Sequence, residues 1–460
     1  MLTFIEDWGT VNYLVYIGVL LFVSKIIKEK LPFLNRVIIP TALIAGFFGL
    51  IFSEGFLNII PIGRDENGNV QLVYEIVYHS LAIGFIALTL RRNTSKANKK
   101  VWSTGMIIVM TYLIQAIIGA GIVYLLFPDI FLGAGLLLPL GFGQGPGLAF
   151  SIGSGYADGA GALLQGGALG STIASIGFIV GGILGVIALN IMARKKELVV
   201  DKFHKENATI KESFEFETIK EIRVFDALTT QVVIILVIYA LVFLTLSLLE
   251  VVLLPQLGDL GDTFAGVFHG FNFLLGILYA LLFRKILGTL EKKGKNVNFM
   301  TNNYILSNIS SLAFNYMIAA AVLTITIASI ELYWKLVIVM AVLGTIVTFA
   351  FIYYIVRRIY DDKYHVHYFL GFFGMLTGTA STGLALLKGV DRDFESPVAE
   401  EMVVGSGTAI SMALPLFALL MLPGMAINNN NPSLNLLVFI IPAVYVLILL
   451  FIILKINKKN

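Results

Sequence analysis

Apolar residues gather along this chain into runs near 20 residues long, separated by short polar stretches. The runs fall at 11–27, 37–58, 72–90, 101–127 and 161–192, then at 228–254, 262–283, 304–329, 335–356, 398–422 and 434–454. At 1.5 Å per helical residue, such runs cross a hydrocarbon core of about 30 Å. The pattern predicts an all-α polytopic membrane protein with about 11 transmembrane helices.

Two segments at matching places in the two halves depart from it. Residues 133–155 hold eight glycines and two prolines, including Gly141-Phe142-Gly143-Gln144-Gly145-Pro146-Gly147. Residues 371–389 hold Thr377-Gly378-Thr379-Ala380-Ser381-Thr382. A lipid-facing helix of that composition would lose backbone hydrogen bonds in hydrocarbon. Both read as re-entrant hairpins, the sequence mark of a transporter's binding site.

The halves also match locally in constant order. Ser80-Leu81-Ala82 pairs with Ser311-Leu312-Ala313, and Ile108-Val109-Met110 with Ile338-Val339-Met340; the separations are 28 and 27 residues. Gly147-Leu148-Ala149 pairs with Gly383-Leu384-Ala385, and Gly170-Ser171 with Gly405-Ser406, at 23 and 22 residues. Each half then reads as five spans plus one hairpin. An odd number of spans inverts the second copy, giving two inverted repeats that bring the hairpins together near mid-membrane. The expected organisation is a first repeat at 1–192, a cytoplasmic connector at 193–227, a second repeat at 228–422 and one extra C-terminal helix with a basic tail at 423–460.

Composition agrees: 58% of residues are hydrophobic and 13% charged. The net charge of +3 comes without a concentrated basic face, so nucleic acid is not an expected partner. No cysteine is present, which excludes disulfides and thiolate metal sites. No signal peptide is expected, because the first apolar run reads as a span. Basic clusters around Lys28, Arg91, Arg194, Lys285, Arg357 and Lys458 fall on one side if the N-terminus is outside. The positive-inside rule then makes the C-terminus cytoplasmic.

Hairpin tips expose amides at one helix start and carbonyls at another helix end. The amides attract anions; carbonyls and hydroxyls can replace the water shell of a cation such as Na⁺. Gly143, Gln144, Gly145, Pro146, Gly147, Thr379, Ala380 and Ser381 are the expected substrate-binding residues. Thr377, Gly378 and Thr382 are expected at the ion, with Asn308, Ser311 and Asn315, which share a helix face. The plainer alternative is that the glycines and hydroxyls serve helix packing. It is the default for Ser171, Thr172, Ser175, Ser406, Thr408 and the glycines 177, 181, 182 and 185. Glu75 and His79, one turn apart, are a structural pair or a proton relay. Glu400 and Glu401 open a helix and read as caps. No Lys or Arg lies in the interior of a span to hold a carboxylate; Lys388 and Arg392 lie just past the second hairpin.

This order of features resembles the bacterial sodium/glutamate symporter family over nearly the whole chain. The match lies in the glycine-rich first hairpin, the small-residue stretch 176–185, the polar connector, the Gly/Thr/Ala second hairpin, and Ile39-Pro40 followed by Gly46 and Gly49. The resemblance implies a homodimeric symporter of the cell inner membrane, not an enzyme, moving its hairpin domain in an elevator-like cycle. It implies no cofactor beyond the coupling ion, Na⁺, and glutamate or a related small organic anion as substrate. One position departs: that family's first tip typically reads Gly-His-Gly-Thr, where this chain has Gly143-Gln144-Gly145-Pro146. The rival readings are a proton-coupled carboxylate carrier, a cation channel, and an intramembrane hydrolase built on Gly153-Ser154-Gly155.

Overall fold

The computed structural model describes residues 10–31, 39–53, 57, 59, 71–91, 99–158, 162–194, 226–253, 256, 272–391 and 396–457. Most of the connector 193–227, His269, Arg392 and part of several basic clusters lie outside them. The described residues are mostly helical, with no strand among them. Nine of the described helices are long and apolar enough to cross a membrane, which fits a multi-pass α-helical membrane protein.

The first half contains α1 (Thr10–Lys30), α2 (Thr41–Phe52), α3 (Gln71–Leu90), α4 (Lys99–Leu126), α5 (Gly133–Gln144), α6 (Pro146–Asp158) and α7 (Gly166–Arg194). The second contains α8 (Ala227–Leu248), α9 (Asn272–Lys292), α10 (Asn303–Leu323), α11 (Ile327–Ile359), α12 (His365–Thr377), α13 (Ala380–Leu387), α14 (Val398–Met412) and α15 (Leu414–Asn428). α16 (Leu434–Ile456) closes the chain. Asp226 caps α8 by accepting from the Thr229 amide, and Asn302 caps α10 through the amides of Tyr304 and Ile305.

The expected and observed elements differ in three places. The run at 398–422 is two helices meeting at Ala413, because Pro415 has no amide for a bond to residue 411 and its ring crowds that carbonyl. The described helix within 37–58 covers only Thr41–Phe52, and that within 262–283 starts at Asn272 and runs on to Lys292. Each glycine-rich segment is a pair of short helices, broken at Gly145 and at Gly378–Thr379.

The helices sort into two packed groups. In one, α3 packs on α8, α9 and α10, while α2 packs on α1 and α10. In the other, α4 contacts α5, α11, α14 and α16; α7 contacts α5, α6, α11 and α12; and α15 rests on α16. The groups meet where α10 crosses α6 and α7 and where α3 touches α6. Small residues set the close approaches within the second group. A Cβ on Gly119 would stand 2.0 Å from the Gly135 carbonyl oxygen, and one on Gly153 would stand 2.1 Å from that of Gly166. Backbones at such distances leave room for hydrogen only.

Candidate functional site

The two helix breaks line one cavity of about 410 Å³, within the range of small-molecule sites. Gly143, Gln144, Gly145 and Pro146 line it from the first pair, and Thr379 and Ala380 from the second. A Cβ built on Gly145 would lie 3.5 Å from the Thr379 methyl, so the breaks are in near contact. Gly145 has φ 85° and ψ −180°, a backbone region reserved almost wholly for glycine. This one residue lets α5 stop and α6 start without a longer loop.

Each break presents both backbone polarities. The Thr379 hydroxyl does not cap the first-turn amides of α13, and Pro146 opens α6 without an amide of its own. Helix starts of this kind attract anions, by roughly half a unit charge each. The carbonyl end of α5 at Gly143 accepts from the Tyr112 hydroxyl at 3.1 Å. The carbonyl of Leu376, near the end of α12, accepts from Gln115 Nε2 at 2.9 Å. Gln115 Nε2 also donates to Thr348 Oγ1 at 2.9 Å.

The third wall is α10. Ser311 and Asn315 line the cavity, as do Ser307 and Ser310. Asn308 does not line it, although it shares their helix face; it lies about two turns before Asn315, nearer the helix start. Gly147 lies against the other group instead, where a Cβ would meet the Met317 sulfur at 2.2 Å. Ser381 belongs to the first turn of α13, and its side chain is outside the described residues.

Thr377, Gly378 and Thr382 sit behind the second break and not on the cavity. Thr377 is fully buried, donates to the Phe373 carbonyl at 2.6 Å, and packs against α7, where a Cβ on Gly181 would stand 2.7 Å from its hydroxyl. The Thr382 hydroxyl and the Gln115 side-chain carbonyl are buried with no hydrogen-bond partner. Unsatisfied oxygens of this kind demand an explanation, and an ion or ordered water supplies one. Gly177, Gly181 and Gly185 form the groove of α7 in which Thr377 and Leu386 rest.

Compared with known proteins, the chain matches no family model and no curated sequence. The site is therefore read from its own residues.

Three features were missed in the sequence. Gln115 is a lone amide inside a 28-residue apolar helix, which is itself a signal of interhelical bonding. Ser307 and Ser310 line the cavity from α10 beside Ser311. Ser406, read as packing, also lines the cavity. The other packing assignments agree with the contacts found. Ser171 hydrogen-bonds Thr324 at 3.2 Å, while Thr172 and Ser175 donate to the carbonyls one turn back. Glu401, in the first turn of α14, is buried and accepts from the Tyr368 hydroxyl, and no side-chain cap bond closes that helix start. Lys388 is exposed at the end of α13 and does not line the cavity.

Proposed function

We propose that this protein is a secondary transporter carrying a small organic anion together with Na⁺. The observation that carries the reading is the meeting of two helix breaks, one from each half of the chain, at one cavity completed by hydroxyls and amides of α10. The anion is held at the amide ends near Gly145 and Thr379. The cation sits at carbonyls and hydroxyls around Thr377, Gly378, Thr382 and the Gln115 carbonyl, with Ser311 and Asn315 facing the solute. No bond is made or broken, so no enzyme activity is invoked.

Coupling needs two conformations, with ion and anion both favouring the same one. The two helix groups suit an elevator-like cycle. α1–α3 and α8–α10, the first three helices of each half, form the static group; the breaks travel with the other. That division follows the proposed inverted repeat helix by helix. In this reading both broken pairs are re-entrant, the N-terminus is outside, the C-terminus is cytoplasmic, and the protein works as a homodimer in the inner membrane.

A proton-coupled carrier is the second reading. It is favoured by His79 on α3, whose Nδ1 is hydrogen-bonded to the Tyr239 hydroxyl at 2.6 Å.

Uptake of radiolabelled glutamate into proteoliposomes, under an inward Na⁺ gradient, an inward H⁺ gradient or none, tests both. Accumulation with Na⁺ alone supports symport and fixes one substrate; accumulation with H⁺ alone moves the coupling to the second reading. Equal, non-accumulating flux under all three conditions would replace the transporter by a channel.

A further inference from the structure

The cavity is not uniformly polar. Phe85 from α3, Phe273 from α9 and Phe314 from α10 line it, and their rings pack on one another. The centroids of Phe85 and Phe273 are 5.4 Å apart, as are those of Phe85 and Phe314. Leu88 and Ile277 extend this surface. All five residues belong to the group of helices that does not carry the breaks. Among the described lining residues none is charged.

A solute with two carboxylates would place the first on the helix-start amides and leave the second with only neutral hydroxyls and amides or the aromatic rings to meet it. Burying an unpaired carboxylate costs several kcal/mol even after relaxation, and no cation among these residues offsets it. A phenyl or branched aliphatic body gains there instead, through apolar burial and ring–ring contact.

We infer that the carried anion is a monocarboxylate with an aromatic or branched apolar body, its carboxylate at the Gly145–Thr379 breaks and its body on the Phe85, Phe273 and Phe314 rings. This rests on the transport reading above and narrows its substrate away from glutamate. Phe314 and Asn315 are neighbours on α10, so apolar and polar recognition share one helix. The rings stay with one helix group and the amides move with the other. The solute thus bridges the two groups, and its body and its carboxylate are read by different parts of the protein.

Two measurements separate this inference from the reading beneath it. The first is thermal stabilisation of the detergent-purified protein in Na⁺ by phenylpyruvate, 3-phenylpropionate, glutamate and succinate. Phenylpyruvate or 3-phenylpropionate should raise the unfolding temperature at concentrations at least about tenfold lower than the dicarboxylates do, the scale of one buried apolar group. Phe314→Ala should weaken that effect by about tenfold or more. Phe85→Leu, which keeps most of the volume, should shift preference from aromatic to branched aliphatic acids and guards against a folding artefact. Stronger stabilisation by glutamate or succinate, or no shift with any of the four, overturns the inference. The second measurement is uptake of the same solutes into proteoliposomes. Stabilisation by phenylpyruvate without gradient-driven accumulation would keep the binding assignment and remove the transport reading. Accumulation of glutamate in preference to phenylpyruvate would do the reverse.

Discussion

Tyr112 and Gln115 stand on neighbouring turns of α4, and each donates to a different broken helix pair. The Tyr112 hydroxyl reaches the Gly143 carbonyl at 3.1 Å, and Gln115 Nε2 reaches the Leu376 carbonyl at 2.9 Å. One helix therefore ties both breaks to the same scaffold. Both side chains are buried; the Gln115 bond lies off the cavity, whereas Tyr112 and Gly143 line it.

The two bonds differ in what their loss leaves behind. Gln115→Leu strips a donor from the Leu376 carbonyl and from Thr348, and should lower stability by about 1–3 kcal/mol. Tyr112→Phe removes one bond to a carbonyl that borders the cavity, and should cost about 0.5–1.5 kcal/mol. Thermal unfolding in detergent gives the order. A Gln115→Leu protein as stable as the parent would show that the second break is not held from α4.

Gly143 and Gly145 are two residues apart but restrict the chain for different reasons. A Cβ on Gly143 would fall 2.0 Å from the Tyr112 ring. On Gly145 it would meet only ordinary contacts, yet the φ of 85° strains any other residue by about 1–3 kcal/mol. Gly143→Ala should therefore regain stability when combined with Tyr112→Leu, whereas Gly145→Ala should not. Equal rescue of both in melting experiments would contradict this distinction.

Along α7, Gly181 receives the second broken pair, with Thr377 Oγ1 only 2.7 Å from a built Cβ. Gly121 in α4 has nothing within 4 Å of its own. Gly181→Ala should destabilise the protein and weaken cation binding behind the break. Gly121→Ala should leave transport unchanged and stabilise by up to about 1 kcal/mol through helix propensity. Sodium-dependent thermal shifts read both variants.

The breaks at Gly145 and Gly378 were legible because glycine clusters inside apolar runs have few other uses in hydrocarbon. The lining of α10 was legible only in part. At about 100° per residue, Ser307, Ser311, Phe314 and Ile318 share a narrow arc with Asn315 at its edge, while Asn308 lies on the Asn315 side, about two turns nearer the helix start. Polar residues alone mark the side through Asn308 and Asn315 and leave out Phe314, which also lines the cavity. Substitution of Asn315 by Ala should accordingly weaken solute affinity several-fold, and Asn308→Ala should not, in the same uptake assay. The division of 398–422 at Ala413 was marked by Pro415, but hydropathy continues across it and hides the break. Gln115 and its partner carbonyl are 261 residues apart, a pairing no local pattern reveals.

The absence of cysteine from the chain makes the central claim directly accessible. Thr379→Cys places one thiol on the cavity wall at the second break, and its rate of alkylation can be followed in proteoliposomes that also report uptake. If the carried anion sits between the breaks, labelling slows when Na⁺ and the accumulated solute are present together, and neither alone gives the full effect. Unchanged labelling at saturating solute and Na⁺, in vesicles that accumulate that solute, would place the binding site elsewhere.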